Sequence, residues 1–422
     1  MNIKNTLLAG VAAFGMAQMA SADVYYRVTG SSAFADGAHT AILNVFAASG
    51  NTLTSYAYET SALTGSKVAI FKGTISGISG NVIVKTKFNG SELGIQATAH
   101  GDNITFLNDS VLPASGSTAS ISSSLETDIT APSACHSDTW QSASRFAAGA
   151  TVTVNGSPVT YTALVPCDGV SGIVGVVPFK FFATSDAPFS NLTTAQGQAL
   201  WGAGKIGLDA FTGLSADATK YVYATGRDID SGTRLNAMLA IGLSANGAIK
   251  QYQPSTSANA QLTATPSGTA NKLLPFPSAT INGVSVATYN NGYNSGGNMS
   301  KAIGCAATAF GGTTGVAAVI GYASAADCDA RIVANQNKEL SLNGVSLGNA
   351  GGNYKTVTSL TGGLYTFWCY EHIYYSAATG SDTTGIKTVG DLIAAQIKNT
   401  DAPVLLSNMT VSRTADQGTI TY

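Results

Sequence analysis

Three times along this chain a β-rich run gives way to a small turn of Gly, Ser and Thr and then to a helical segment. The turns are Thr29-Gly30-Ser31-Ser32, Asn89-Gly90-Ser91 and Ser231-Gly232-Thr233. Strand, turn and helix repeating in this order predict an α/β layout rather than a bundle or a sandwich. The run from Tyr25 to Val28 reads as a strand, and the segment after it places Ala38, Ile42, Val45 and Phe46 on one helical face. Val82, Val84 and the residues up to Phe88 suggest a second strand, and Tyr221 to Ala224 a third. Leu235, Met238, Leu239 and Gly242 make a stripe on the helix after Ser231-Gly232-Thr233. Thr193 or Thr194 can cap a further helix, and Val389, Leu392, Ile393 and Gln396 mark a last one before a β-like tail. The apolar run from Val174 to Ala183, with Pro178 inside it, reads as a buried strand that then leaves its sheet. Asn155-Gly156 between alternating residues is a hairpin signal, and Asn282-Gly283 is another, inside the Ser-, Asn-, Gly- and Pro-rich stretch 253–300.

The first residues bear on the compartment. Lys4, the apolar stretch from Leu7 to Met19 and Ala20-Ser21-Ala22 before Asp23 have the order of a cleaved export signal. With no cysteine near that point for a lipid, and no later apolar run long enough to span a bilayer, a periplasmic, secreted or cell-surface protein is expected. Only 10% of the residues are charged, and 21 basic residues nearly balance 23 acidic ones. Nucleic acid is therefore not an expected partner, since phosphate backbones call for a clustered basic surface. Export permits disulfides. The preferred pairs, each closing a modest loop, are Cys135–Cys167 and Cys305–Cys328, with Cys369 left as a packed thiol between Trp368 and Tyr370. The cysteine spacings do not suit zinc, and no metal or cofactor is expected.

The turns are also where chemistry is expected. A helix start presents unpaired N–H groups and a partial positive charge, so it can hold an anion, and glycine lets backbone approach closely while hydroxyls add donors. Arg227 lies four residues before Ser231, and a guanidinium beside a helix start matches a tetrahedral oxyanion. For any single turn, plain capping of the helix is the competing reading.

The stretch Gly226-Arg-Asp-Ile-Asp-Ser-Gly-Thr-Arg234 resembles the Arg-x-x-x-Ser-Gly-Thr motif of periplasmic phosphate-binding proteins, the soluble receptors of phosphate ABC transporters. Thr29-Gly-Ser-Ser-Ala-Phe34 resembles their first anion loop, Gly90-Ser91 a second serine turn, and His136-Ser137-Asp138 a Ser-Asp segment. Pro178-Phe179, Trp201-Gly-Ala-Gly, Ile320-Gly321-Tyr322 and the run from Gly363 to Trp368 resemble later pieces in the same order. The resemblance implies an α/β, two-lobed type 2 periplasmic-binding-protein fold with mixed sheets and an inter-lobe cleft. With the export signal over 1–22, the expected division is a discontinuous first lobe over 23–184 and 355–422 and a second lobe over 185–354; a hairpin insertion near 150–168 and the long loop region 253–300 depart from the family's minimal pattern. The resemblance further implies that phosphate or a similar oxyanion is held by Ser31, Ser32, Ser91, Asp138, Arg227, Ser231, Gly232 and Thr233, and that an ABC transporter permease is the partner. Which of Ser31 and Ser32 takes part stays open. Asp138 could accept a hydrogen bond from the P–OH of hydrogen phosphate, which sulfate lacks, or could simply stabilise a polar turn. Asp228 and Asp230, beside the arginine, could hold it through ion pairing or weaken anion affinity.

Two other classes compete with this non-enzymatic receptor. A structural or adhesive surface protein could reuse the fold, in keeping with the low charge and the insertions. A secreted hydrolase has less support, because His39, His100, His136 and His372 are scattered and no nucleophile-elbow or His-Glu-x-x-His motif is present.

Overall fold

The computed structural model describes residues 22–348 and 353–422, so the export signal lies outside the described residues except for Ala22. The first strand, Val24–Gly30, pairs in parallel with Val82–Lys87 on one side and Ala134–Ser137 on the other. Parallel neighbours need crossovers. Those crossovers carry the helices Ala35–Ala47 and Ser91–His100, whose buried faces cover the sheet. Beyond Ala134–Ser137 the strand Trp368–Tyr375 adds in antiparallel sense, bringing a late part of the chain into the centre of the sheet.

The run expected to leave its sheet is instead one strand, Ile173–Thr184, that serves two halves. Its first part pairs with Trp368–Tyr375, up to Pro178 opposite Trp368; from Phe179 onward it pairs with Val316–Ser324 and then Asn337–Leu342. Pro178, which has no N–H to donate, stands where the partners change. Tyr221–Ala224 extends the second half in parallel with Val316–Ser324. The outcome is an α/β fold built on one mixed sheet of 14 strands. A continuous apolar core runs from Tyr26 and Phe34 in the first half to Trp201 and Tyr322 in the second.

Both Asn-Gly signals form hairpins, Thr151–Val154 with Ser157–Thr160 and Ala279–Ile281 with Val284–Val286. Asn155 and Gly156 have φ of 50° and 81°, the positive values that the tight hairpin turn requires. The hairpin tips touch, the Asn155 N–H donating to the Gly283 carbonyl at 2.8 Å. Thr193 is the residue that caps Thr194–Ala203, in a reciprocal capping box with Gln196.

Two expectations need correction. All five cysteines are unpaired. Cys135 packs with Ile95, Phe146 and Tyr161, whereas Cys167 lies against the main core, so the two sit in different clusters. Cys305 and Cys328 share a cluster but remain thiols. Among the described residues the tail forms no continuous strand; it makes isolated antiparallel bridges, Val404 to Val176 and Ser412 to Thr421, and side chains add to its anchorage. Arg413 donates to the carbonyls of Trp368 and Thr366 at 2.9 and 3.0 Å and stacks over the Trp368 ring. Among the described residues no helix is long and apolar enough to cross a membrane.

Candidate functional site

The ends of the parallel strands lie side by side, and this carries their turns to one place. Gly30 has φ 125°, and a Cβ there would stand 1.8 Å from the His136 carbonyl oxygen, which accepts the Ser31 N–H at 2.8 Å. Gly90 has φ 139° and donates its N–H to the Gly30 carbonyl at 2.7 Å. A Cβ on Gly90 would lie 2.3 Å from the Asp230 carbonyl oxygen, which also accepts the Glu92 N–H at 2.9 Å. Glycine at both positions therefore serves backbone-to-backbone contact. The first, second and third turns are joined in one cluster.

Asp138 sits in the middle. It follows the Ala134–Ser137 strand, and its carboxylate accepts a hydrogen bond from the Ser91 hydroxyl on one oxygen and from Thr233 Oγ1, at 3.3 Å, on the other. A Cβ on Gly232 would fall 1.8 Å from Asp138 Oδ1 and 2.8 Å from Ser91 Cβ. Only glycine lets the carboxylate rest against the first turn of the helix Gly232–Ala240, where the partial positive charge of the helix start favours it. Ser231 caps this helix by accepting the Arg234 N–H at 3.2 Å, and Asn236 holds the Asp138 carbonyl at 2.7 Å. Burial raises the Asp138 carboxyl above the usual range, while the Ser91 hydrogen bond and the charge of Arg227 pull the other way.

Ser91, Asp138, Gly232 and Thr233 thus meet directly, and Ser231 acts from the helix cap. Ser31 is buried and its hydroxyl has no hydrogen-bond partner. Ser32 is half-buried, and its carbonyl takes the Lys67 ammonium at 2.7 Å. Arg227 is buried with Nε and one terminal nitrogen donating to the carbonyls of Tyr293 and Asn294, each at 3.0 Å. The neighbouring acids do not hold it as the sequence suggested. Asp228 accepts the Asp230 N–H, and Asp230 accepts from Asn282. Burial pushes Asp228 up to about 6 and Asp230 well above the carboxylate range.

Sequence reasoning missed Glu371. In the register of the two central strands His372 faces Ser137, so Glu371 comes next to Asp138. Glu371 is fully buried, neither carboxylate oxygen has a partner, and burial, with Asp138 adding to it, pushes its pKa well above the usual range. Its signal was a lone acid in an otherwise aromatic and apolar run, Trp368 to Tyr375. His136 on the adjacent strand is also buried with both ring nitrogens unpartnered, and burial lowers it to about 3.

The predicted side chains other than Ser32 are at most 2% exposed, so this is a shut site. Ties span it on both flanks. Asn282 donates to Asp230 and accepts from Gln96 at 3.0 Å, while Gln417 of the tail bridges Asn236 Oδ1 at 3.0 Å and the Trp368 carbonyl at 2.7 Å. Asp416 accepts the Thr139 hydroxyl and, at 2.9 Å, the Trp140 N–H.

A mixed-sheet α/β fold with a closed polar site at its strand ends is thus the class that the structure defines. No protein-family model matches the chain, and no curated protein matches its sequence. Among solved structures the chain is similar in fold to a protein described as a phosphate ABC transporter substrate-binding protein with bound phosphate, from Clostridium perfringens. That likeness is 12% identical with a TM-score of 0.42, covering 89% of this chain and 97% of the other. It is also similar to an ABC-type phosphate transport receptor from Vibrio cholerae, at 11% identity and TM-score 0.37, covering 87% and 93%. PstS from Borrelia burgdorferi is a third, at 11% identity and TM-score 0.36, covering 88% and 92%.

Proposed function

We propose that this chain is an extracytoplasmic receptor that captures a small tetrahedral oxyanion, phosphate first among them, for an ABC-type transporter. On this reading 23–184 with 355–422 is one lobe, 185–354 is the other, and the ligand enters when they part. The observation that carries the reading is the seat of Asp138: a carboxylate held by Ser91 and Thr233 over the helix start at Gly232. The same donors suit phosphate oxygens, with Ser31 adding a free hydroxyl and Arg227 the charge. Asp138 would turn to accept the P–OH proton, which makes hydrogen phosphate preferred over sulfate.

A structural or adhesive role is the second reading, favoured by a specific observation. The donors of Arg227 named above already end on backbone carbonyls, and the Asp138 carboxylate already fills the helix start. Calorimetric titration of ligand-stripped protein separates the two. The receptor reading expects saturable phosphate binding with sulfate at least about tenfold weaker, a difference near 1.4 kcal/mol. Heat-silent titrations, backed by equilibrium dialysis with labelled phosphate showing no uptake, leave the structural role.

A further inference from the structure

Away from that site, the second half encloses a lysine between two acids. Lys180, on the shared strand, is fully buried, with Nζ 2.6 Å from Asp329 Oδ1 and 3.0 Å from Glu339 Oε2. Its third proton goes to the Gly348 carbonyl at 2.8 Å. The three residues come from separate elements: strand Ile173–Thr184, helix Ala325–Val333 and strand Asn337–Leu342. Phe182 faces Glu339 in the register, which puts Lys180 and Glu339 diagonally on one face. The Tyr354 hydroxyl donates to the other Asp329 oxygen, and its ring lies 5.7 Å from Nζ. Glu339 is itself fixed through Oε1 by the Ser346 hydroxyl at 2.7 Å and the Gly348 N–H at 2.9 Å.

One ammonium and two carboxylates leave this interior with an unbalanced negative charge, which desolvation penalises. Joining the nitrogen and one carboxyl in a neutral bond would remove one cation and one anion from that interior. The surrounding elements hold the buried nitrogen and the nearly buried Asp329 carboxyl together, and an intramolecular condensation gains from such proximity.

We propose that Lys180 and Asp329 condense to an intramolecular amide, with Glu339 moving the protons. Lys180 Nζ attacks Asp329 Cγ, to which the Tyr354 hydroxyl lends a hydrogen bond; the Cγ–N bond forms and one Cγ–O bond breaks. The ammonium begins with three protons. One stays on the amide nitrogen, and two pass by way of Glu339 to the departing oxygen, which leaves as water. No oxidant or cofactor enters. The product replaces a buried ion pair by a neutral amide, and Glu339, having relayed the two protons, is left as the carboxylate it began as. It also ties together residues 149 positions apart, enclosing much of the second half in one covalent loop. A cross-link of that span restrains the unfolded chain as a disulfide would, in a protein whose cysteines are unpaired.

The test is mass spectrometry of the purified full chain, denatured and digested. The expected result is a mass lighter by one water and a branched peptide joining the segments around Lys180 and Asp329, in most molecules. Glu339→Gln, close in shape, should give the full mass and linear peptides from folded protein. Linear peptides alone in the wild type overturn the proposal. So does a water loss without a branch, the mark of a succinimide at an aspartate. A branched product persisting undiminished in Glu339→Gln overturns the role given to Glu339. The wild-type digest decides on the bond even if the variant does not fold.

Discussion

At the scale of single residues, the site turns on close approach. A methyl group at Gly232 collides with the Asp138 carboxylate and with Ser91. Gly232→Ala should therefore cost about 2 kcal/mol of stability by overpacking and, on the receptor reading, lower phosphate affinity by at least about tenfold. Thermal unfolding and titration measure the two effects separately. Asp138→Asn keeps the shape but turns an acceptor into a donor on one side. Its phosphate-to-sulfate preference should narrow about tenfold, and an unchanged ratio in competition binding removes Asp138 from the ligand's contacts. His136 gives a pH prediction. Burial holds its imidazole near pKa 3, well under the ordinary 6.5, so the folded state binds fewer protons than the unfolded one across that interval. Stability is thus lost as pH falls from about 6.5 toward 3. In His136→Phe, beside Phe34 and Phe88, the fall in denaturation midpoint between pH 7 and 4 should be smaller than in wild type. His39, also lowered to about 3, and His372, lowered to about 4, keep part of the effect.

At the scale of elements, the two hairpins show how far local signals reach. Each Asn-Gly turn was legible in the sequence, because a tight hairpin requires positive φ at both central residues and few residue types supply it. That the hairpins meet was not legible, since nothing near either turn encodes its distant neighbour. Replacing 152–159 by a short Gly-Ser link removes the Asn155–Gly283 contact. Stopped-flow release of a fluorescently reported anion should then quicken, with the association rate less affected; equal release rates would mean that the hairpins do not hold the site shut. The Ile173–Thr184 strand is a comparable case. Its apolar run announced burial, yet the change of partners at Pro178 depends on strands that lie far away in sequence.

At the scale of the whole molecule, the tail ties the halves together across the site. Asp416 is anchored to Thr139 and Trp140, and Gln417 to Asn236 and Trp368. Burial raises Asp416 to about 7, so the folded state binds the extra proton between roughly pH 4 and 7. This contribution is complete below the unfolded value and is lost as pH rises through 7, opposite in sign to that of His136. Asp416→Asn should flatten that part of the stability–pH curve above pH 5, measured by denaturant midpoints.

Local order was written in the sequence: the alternating strands and helices, the two hairpins, the capped helix starts and the glycines at the three turns follow from sterics and hydrogen bonds within a few residues. The order of strands in the sheet was not, because the pairings that set it include residues far apart in the chain, such as His372 opposite Ser137 and Pro178 opposite Trp368. Tertiary structure alone set Asp138 against Gly232, brought Glu371 beside it, left the cysteines unpaired and enclosed Lys180 between two acids. Each of these depends on residues whose sequence neighbourhoods carry no record of one another.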